Sequence, residues 1–413
     1  MQKTNYNFWK SFRESCKRVW KAMKEELQMI LNDWGFIIVF FGATLFYPLL
    51  YPMIYRNETI RNMPVAIVDE SQTFLSRDLT RRIDASPDLE VVASFPNLEE
   101  AAKAFRRQNV HGVIYIEKDY EKKINRNEQA FVSIYCDMSS FLYYRAMMLG
   151  ANFAILDAGN DIKLQRLNQL GVTGKTAEIV ASPFEHEANI LYNKPMGFAS
   201  FLLPAILILI IHQTLFFGLT IVNGSACEEG RLYNDIFAHL NGLTYEKLLG
   251  KVLFYFLFYI TVVCYILLII PKIFNLPHIG KSIDVILFMI PFLLAAIFFS
   301  LTIASFIKNR ETGLVVFLFS TIVLLFLSGF SWPMSNISRF WRTFGMLFPT
   351  TYGIQGYIKI NSMSADLSQV KFEYIALWIQ VIVYSLTAVV FRRFNYERYA
   401  KTNKSASNVI VEM

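Results

Sequence analysis

Few side chains in this sequence have the type and spacing that chemistry requires. Gly174, Lys175 and Thr176 spell the end of a phosphate-binding loop. That loop needs a glycine five residues before the second one, where Gln169 stands, and no strand leads into it. The tripeptide is read as a turn. Asp69 and Glu70 close a run of β-forming residues, the kind of position where open sheets bind ligands. The same Asp-Glu-Ser run also suits the cap of a following helix, and both readings stand. His111, Glu185 and His186 lack metal-ligand spacing, so no metal site is expected. With no nucleophile–base pair, no catalytic residue is assigned and the chain is not read as an enzyme.

Two amphipathic stretches carry more information. "EEGRLYNDIFAHLNGLTYEKLLGK" (228–251) begins with acids, which a helix N-terminus favours. Leu232, Ile236, Phe237 and Leu240 then form an apolar face that something must bury: a separate partner or the chain's own N-terminal helix. "LSGFSWPMSNISRFWRTFGMLFPTTY" (327–352) places Ile337, Phe340, Trp341, Phe344 and Phe348 at helical spacing, bracketed by Pro333 and Pro349.

The elements that hold these stretches are membrane spans. Of 413 residues, 54% are hydrophobic and 18% charged, against about 25% charged in soluble domains. Six stretches approach the length of about 20 apolar residues that a span requires: 35–55, 198–220, 252–271, 285–307, 314–330 and 374–391. The net charge of +7 gathers at span edges, which reads as positive-inside bias and not as a nucleic-acid footprint. Lys3, Lys10, Arg13, Lys17, Arg18, Lys21 and Lys24 precede the first span, and Arg392, Arg393, Arg398, Lys401 and Lys404 follow the last. Both termini are therefore expected in the cytoplasm, which puts 327–352 on the outer side. The 34 residues before the first span argue against a cleaved signal. They place Trp9, Phe12, Cys16, Val19, Trp20, Met23, Leu27, Ile30 and Trp34 on one face, as an interfacial helix would. Such a face suits lipid headgroups or a protein partner, and both stay open. The four scattered cysteines suggest no disulfide framework.

Between the first two spans, "VAIVDE" (65–70), "LEVVASF" (89–95), "VHGVIYIE" (110–117) and "FVSIYCDM" (131–138) read as strands. They alternate with helical patterns at 72–84, 97–108, 117–125 and 139–170, the signature of a small α/β domain. The expected fold is an α-helical polytopic membrane protein with six transmembrane helices and an inserted extracytoplasmic α/β domain. Its parts would be a cytoplasmic amphipathic interfacial helix (1–34), a first span (35–55), the extracytoplasmic domain (56–197), a five-helix region (198–394) and a cytoplasmic tail (395–413). Ion-driven carriers bury acids, His or Arg in their spans. Here His212, expected to hydrogen-bond a neighbouring helix, and Gln380 are the main polar features. Energy for uphill transport would have to come from another subunit.

Several segments together resemble the ABC-2-type permease family, in the branch with a large extracytoplasmic domain after the first span. They are "MPVAIVDESQTFLSRDLTRRIDASPDLEVV", "VHGVIYIEKDYEKKI", "LYNKPMGFASFLLPAIL", the 228–251 stretch and the Ser-Gly, Trp-Pro and "FPTTY" of 327–352. Lys194 interrupts the family's Tyr-Asn-Pro, and Arg231 stands where Thr is common. The resemblance implies a homodimer or heterodimer of such subunits, each binding a cytoplasmic ABC ATPase that carries ATP and Mg, with no cofactor on this chain. It assigns ATPase coupling to segment 223–250 with Lys251, through Glu228, Glu229, Gly230, Arg231, Leu232, Ile236, Phe237, Gly250 and Lys251. It makes 331–371 an outer re-entrant hairpin, and with Gly329 the gate residues would be Trp332, Pro333, Phe340, Trp341, Phe344, Pro349 and Tyr352. An interfacial anchor is the plainer reading of the same aromatics.

The function expected is the permease of an exporter in the bacterial inner membrane, moving a lipid, glycolipid or drug-like compound. A periplasmic adaptor and an outer-membrane channel are further possible partners, beside membrane lipid. The alternative is a non-transporting receptor or scaffold acting through its outer domain. A secondary transporter is disfavoured by the missing intramembrane acids.

Overall fold

The computed structural model describes residues 2–184, 189–193, 196–229 and 244–411. The chain divides into two units, Met1–Arg56 with Leu191–Met413, and Asn57–Ile190. Helix α1 (Gln2–Leu31) contains neither proline nor glycine and runs unbroken to Asn32. Asp33 then starts α2 (Trp34–Ile54) as its N-cap, accepting the Gly35 amide at 2.7 Å. A π-helical turn at Ile38–Ala43 and Pro48 and Pro52 interrupt the regular ladder of α2.

The second unit is a four-stranded sheet with helices on both faces. Strand β1 (Met63–Asp69), helix α3 (Phe74–Asp84), β2 (Leu89–Phe95), α4 (Leu98–Arg106), β3 (Gly112–Ile116), α5 (Tyr120–Asn125) and β4 (Val132–Cys136) alternate as expected, with trimmed ends. The order is β2-β1-β3-β4, parallel except for β4 against β3. Alternation along β1 sends Met63, Val65 and Ile67 to one core and Ala66 and Val68 to the other. The long α6 (Phe141–Gln169) covers the first core with small residues, including Ala146, Gly150, Ala151 and Ala154, so it approaches the sheet closely. A Cβ on Gly150 would lie 2.7 Å from Leu89. Arg82 on α3 ties to Asp157 and Asp161 on α6 as well as to Asp78. The Gly174 tripeptide is more than a turn: Gly174, at φ +63°, caps α7 (Lys175–Ala181).

The first unit continues with α8 (Phe198–Glu228), α9 (Tyr245–Ile273), α10 (Ser282–Ala304), α11 (Arg310–Leu327), α12 (Arg339–Gly345), α13 (Pro349–Met363) and α14 (Lys371–Val411). Six helices are long and apolar enough to cross a membrane: α2, α8, α9, α10, α11 and the Lys371–Phe394 part of α14. Helix α8 is the axis of the bundle and is buried along most of its length, whereas α11 and α14 present mostly exposed apolar surface. Tyr255, Tyr259, Tyr357, Phe36, Phe40, Phe288 and Phe292 are the largest fully buried side chains of this core.

Helix α13 lies within the stretch expected as a hairpin. Pro349, which brackets the 327–352 aromatics in the sequence, opens a helix, because its fixed φ and missing N–H suit the first helical position. Gly353 and Gly356 on α13 receive the rings of Phe292 and Phe288 on α10, in the space a Cβ would fill. Gly356→Leu should therefore overpack this seam by about 1–3 kcal/mol. A thermal midpoint of the detergent-solubilised chain unchanged by that substitution would refute the notch.

Candidate functional site

Residues 230–243 lie outside the described residues, and with them the coupling positions Gly230, Arg231, Leu232, Ile236 and Phe237. What surrounds that segment is well defined. On its N-terminal side, the Glu228 carboxylate accepts the Arg310 amide at 3.0 Å, so it caps the start of α11. Asn223 donates to the carbonyls of Ala304 (2.6 Å) and Ile307 (3.3 Å), and Gly224 lets α8 lie against the Asn309 backbone. Arg310 reaches back to Asp33 at 2.6 Å and lies over the Phe36 ring. The end of α8, the start of α11 and the α1–α2 joint thus meet at one place.

On the C-terminal side, α9 is seated along α1. Gly250 makes the approach possible: a Cβ there would lie 2.6 Å from Cβ of Ala22 and 2.7 Å from the Val19 carbonyl. Around this contact runs a polar ladder. Ser15 and Arg18 both bond Glu246, at 3.2 and 3.1 Å. One turn on, Lys251 pairs with Glu26 at 2.9 Å with side chains only 11% and 12% exposed. The Tyr255 hydroxyl donates to the other Glu26 oxygen at 3.1 Å. Gly250 and Lys251, expected at a partner, are occupied inside the chain, while Glu229 ends α8.

The apolar stripe expected along α1 meets this seam only in part. Phe12, Trp20 and Leu27 are exposed, as is Trp34 at the start of α2, whereas Ile30 of the same stripe is buried in the bundle, on the side where Ala22 and Glu26 meet α9. Helix periodicity displays the stripe; the seam is made by a small residue and a charge, which periodicity overlooks.

The 327–352 stretch forms a compact aromatic cap. Gly329 adopts φ +75° and passes under Met334, Trp332 is exposed, and Pro333 leads into a single 3₁₀ turn at Met334–Asn336. On α12, Phe340 and Trp341 meet edge-to-face at 5.2 Å and Trp341 meets Phe344 at 6.1 Å. Phe344 contacts Phe348 (5.4 Å), which contacts Phe299 of α10 (5.8 Å), which in turn lies 5.8 Å from His212 of α8. An unbroken line of rings joins exposed Trp341 to the buried bundle axis. Pro349 and Tyr352 belong to α13, which follows directly, and Tyr352 meets Phe372 of α14 at 6.1 Å. His212 does not hydrogen-bond as expected: both ring nitrogens are buried without a partner among the described residues.

Two further polar ties went unanticipated. Lys359 on α13 pairs with Glu373 of α14 at 2.6 Å, and Asn361 bonds His278 and the Pro277 carbonyl. In the α/β unit, Asp69 is fully engaged: its carboxylate accepts Ser71 N, Gln72 N and Ser76 Oγ, closing the turn before α3. Thr73 is the cap itself. Glu70 accepts the Tyr115 hydroxyl at 2.9 Å. His111 stacks on Tyr143 beside Asp137. Glu185, His186 and Lys194 lie outside the described residues, and among those described no His, Cys, Asp and Glu group could hold a metal ion.

The arrangement is that of a multi-pass membrane protein. Its family is identifiable: the model of the ABC-2 family transporter proteins matches residues 34–390, and the chain belongs to that family. Comparison with curated proteins returns no match. It is thus the membrane-embedded component of an ABC transporter.

Two measurements test this geometry. Removing one partner of the Glu26–Lys251 pair strands a buried charge, so Glu26→Ala should cost about 3–5 kcal/mol, and Glu26→Leu with Lys251→Met should recover most of it. Equal losses in single and double variants, read as thermal unfolding in detergent, would contradict the pairing. For Asp33, burial disfavours the charge, but the Gly35 amide and Arg310 outweigh it and hold the carboxyl below the usual range. Its contribution is therefore complete above the ordinary carboxyl pKa of about 4 and is lost as pH falls through the depressed value. The stability gap between the native chain and Asp33→Asn should be constant above about pH 5 and shrink on acidification. A pH-independent gap would refute it.

Proposed function

We propose that the chain is the permease subunit of an ATP-driven exporter in a bacterial inner membrane, with both termini cytoplasmic and the α/β unit outside. The observation that supports this best is the anchoring on both sides of segment 230–243: Glu228 bonded at the start of α11, and Glu246, Gly250 and Lys251 seated on α1. In this reading the segment docks on a cytoplasmic ABC ATPase, which holds ATP and Mg. Its displacement is then shared by α1, α8, α9 and α11. A second permease subunit, the same chain or a related one, completes the path. The cargo is hydrophobic or amphipathic, in keeping with aromatic spans that carry few charges, and an adaptor with an outer-membrane channel would extend the route.

The test is purification with a candidate ABC ATPase from the same organism. Glu229→Lys or Phe237→Asp should lower co-purification and substrate-stimulated ATP turnover at least about tenfold, the equivalent of one charged hydrogen bond. Native behaviour in both variants would sink the docking assignment. The aromatic cap acts as the outer gate in this reading. Trp341→Ala and Phe344→Ala should reduce export while leaving assembly with the ATPase intact, and undiminished export would make the cap an anchor only.

A second reading draws on the exposed Phe131, Tyr135, Met138 and Phe141 of the α/β unit, which suit a receptor or scaffold. An ATPase that neither binds nor responds to the chain would favour it.

A further inference from the structure

The sheet of the α/β unit ends on two strands that treat their open edges differently. A bare edge offers unpaired N–H and C=O groups to any other strand, and proteins guard it with charge, proline or a bulge. Strand β2 is guarded: Val92 is an extra residue in its register with β1, and Glu90 is exposed. Strand β4 is not. It reads Val-Ser-Ile-Tyr-Cys, without charge or proline, and its register with β3 runs unbroken from Val132 to Cys136. The bond from the Asp137 amide to the His111 carbonyl shows which residues of β4 face β3. In an antiparallel pair such bonding falls on alternate residues, here Ser133 and Tyr135. The backbone groups of Val132, Ile134 and Cys136 therefore point away from the sheet. Among the described residues no further strand pairs with them.

The side chains indicate what fits this edge. Phe131 and Tyr135 share one face of β4 and are 59% and 46% exposed, while α4 packs on the other three strands. A second copy laid antiparallel about a two-fold axis at Ile134 pairs every outward group: Ile134 with Ile134, and Val132 with Cys136. In that register Ser133 stands opposite Tyr135 of the second copy. Each Tyr135 is then diagonal to the other copy's Phe131, a separation of about 7–8 Å that aromatic side chains span. Phe131 stands opposite Asp137 of the second copy, and Lys123 lies 5.7 Å over the Phe131 ring, so opposite charges are brought together. No like charges oppose each other between Phe131 and Asp137. We propose that two copies of this chain join through β4, edge to edge, into one continuous sheet across their α/β units. This deepens the reading above, in which a second permease subunit completes the path, and makes that subunit another copy of the same chain.

The test is disulfide trapping of the full chain in membranes, in a background whose own four cysteines are replaced by serine. Opposed residues that exchange no hydrogen bonds lie about 4.5 Å apart at Cα, within disulfide range. Ser133→Cys with Tyr135→Cys should give a linked dimer on mild oxidation, and either substitution alone should give little. Adding Ile134→Pro removes an outward N–H that the chain's own sheet does not use, and should lower trapping about tenfold. Amide exchange is the second readout. Val132, Ile134 and Cys136 should exchange slowly in the native chain and about tenfold faster in Ser133→Lys, which puts a guard on the edge. No trapped dimer, equal trapping by a single cysteine, or fast exchange at all three native amides would overturn the proposal. Slow exchange without trapping would assign the edge to another protein and overturn it too. Should Ile134→Pro not fold, the exchange contrast decides. Trapping in a chain that binds no ATPase would sink the transport reading alone, and ATPase coupling without trapping would sink this one alone.

Discussion

Glu26 and Lys251 each sit where water barely reaches, and neither charge would be stable there without the other. Two neighbours make the pair possible. Gly250 lets the helices come close enough, and Tyr255 supplies a donor to the remaining carboxylate oxygen. Once α1 is fixed to α9 in this way, its last turn is fixed as well, and Asp33 is delivered to Arg310 at the head of α11. Helices distant in sequence then share one mechanical frame around segment 230–243. A desolvated ion pair adds little net stability compared with a well-packed apolar substitute, so its value lies in the single register it permits.

A second set of contacts, from α12 to α8, is organised by shape and not by charge. Rings from Trp341 through Phe344, Phe348 and Phe299 to His212 pass from the surface to the axis of α8 without a break. Edge-to-face contacts of this kind hold orientation while allowing small tilts. The bundle thus combines a charged seam between α1 and α9 with a series of ring contacts from α12 to α8.

Much of this was legible in the chain. Strands β1 to β4 followed from β-forming runs, and the six long apolar helices from length and hydropathy, because both signals are local. Three things were not. The Glu26 pairing joins residues so far apart that no local pattern reports it; Tyr255 alone is 229 positions away. The α1 stripe of Phe12, Trp20 and Leu27 drew attention to the exposed face, since a buried alanine and glutamate carry no periodic signal. The start of helix α13 was hidden because a proline that brackets a segment is equally at home as the first residue of the next helix. Asp69 was legible as a polar residue at a strand end, read there as a ligand position or a helix cap, and it closes the turn while Thr73 caps the helix; the bonds of Glu228 to Arg310 and of Lys251 to Glu26 were not legible.

The notches at Gly353 and Gly356 also limit how the protein can move. Two rings set into two gaps, one helical turn apart, act as detents: sliding α13 along α10 would require both to unseat together. Close-packed interiors resist such intermediate positions and favour discrete ones. Helices α10 and α13 are therefore a single rigid lever, with the aromatic cap at its tip, and a rotation anywhere along that lever swings the cap without repacking its base.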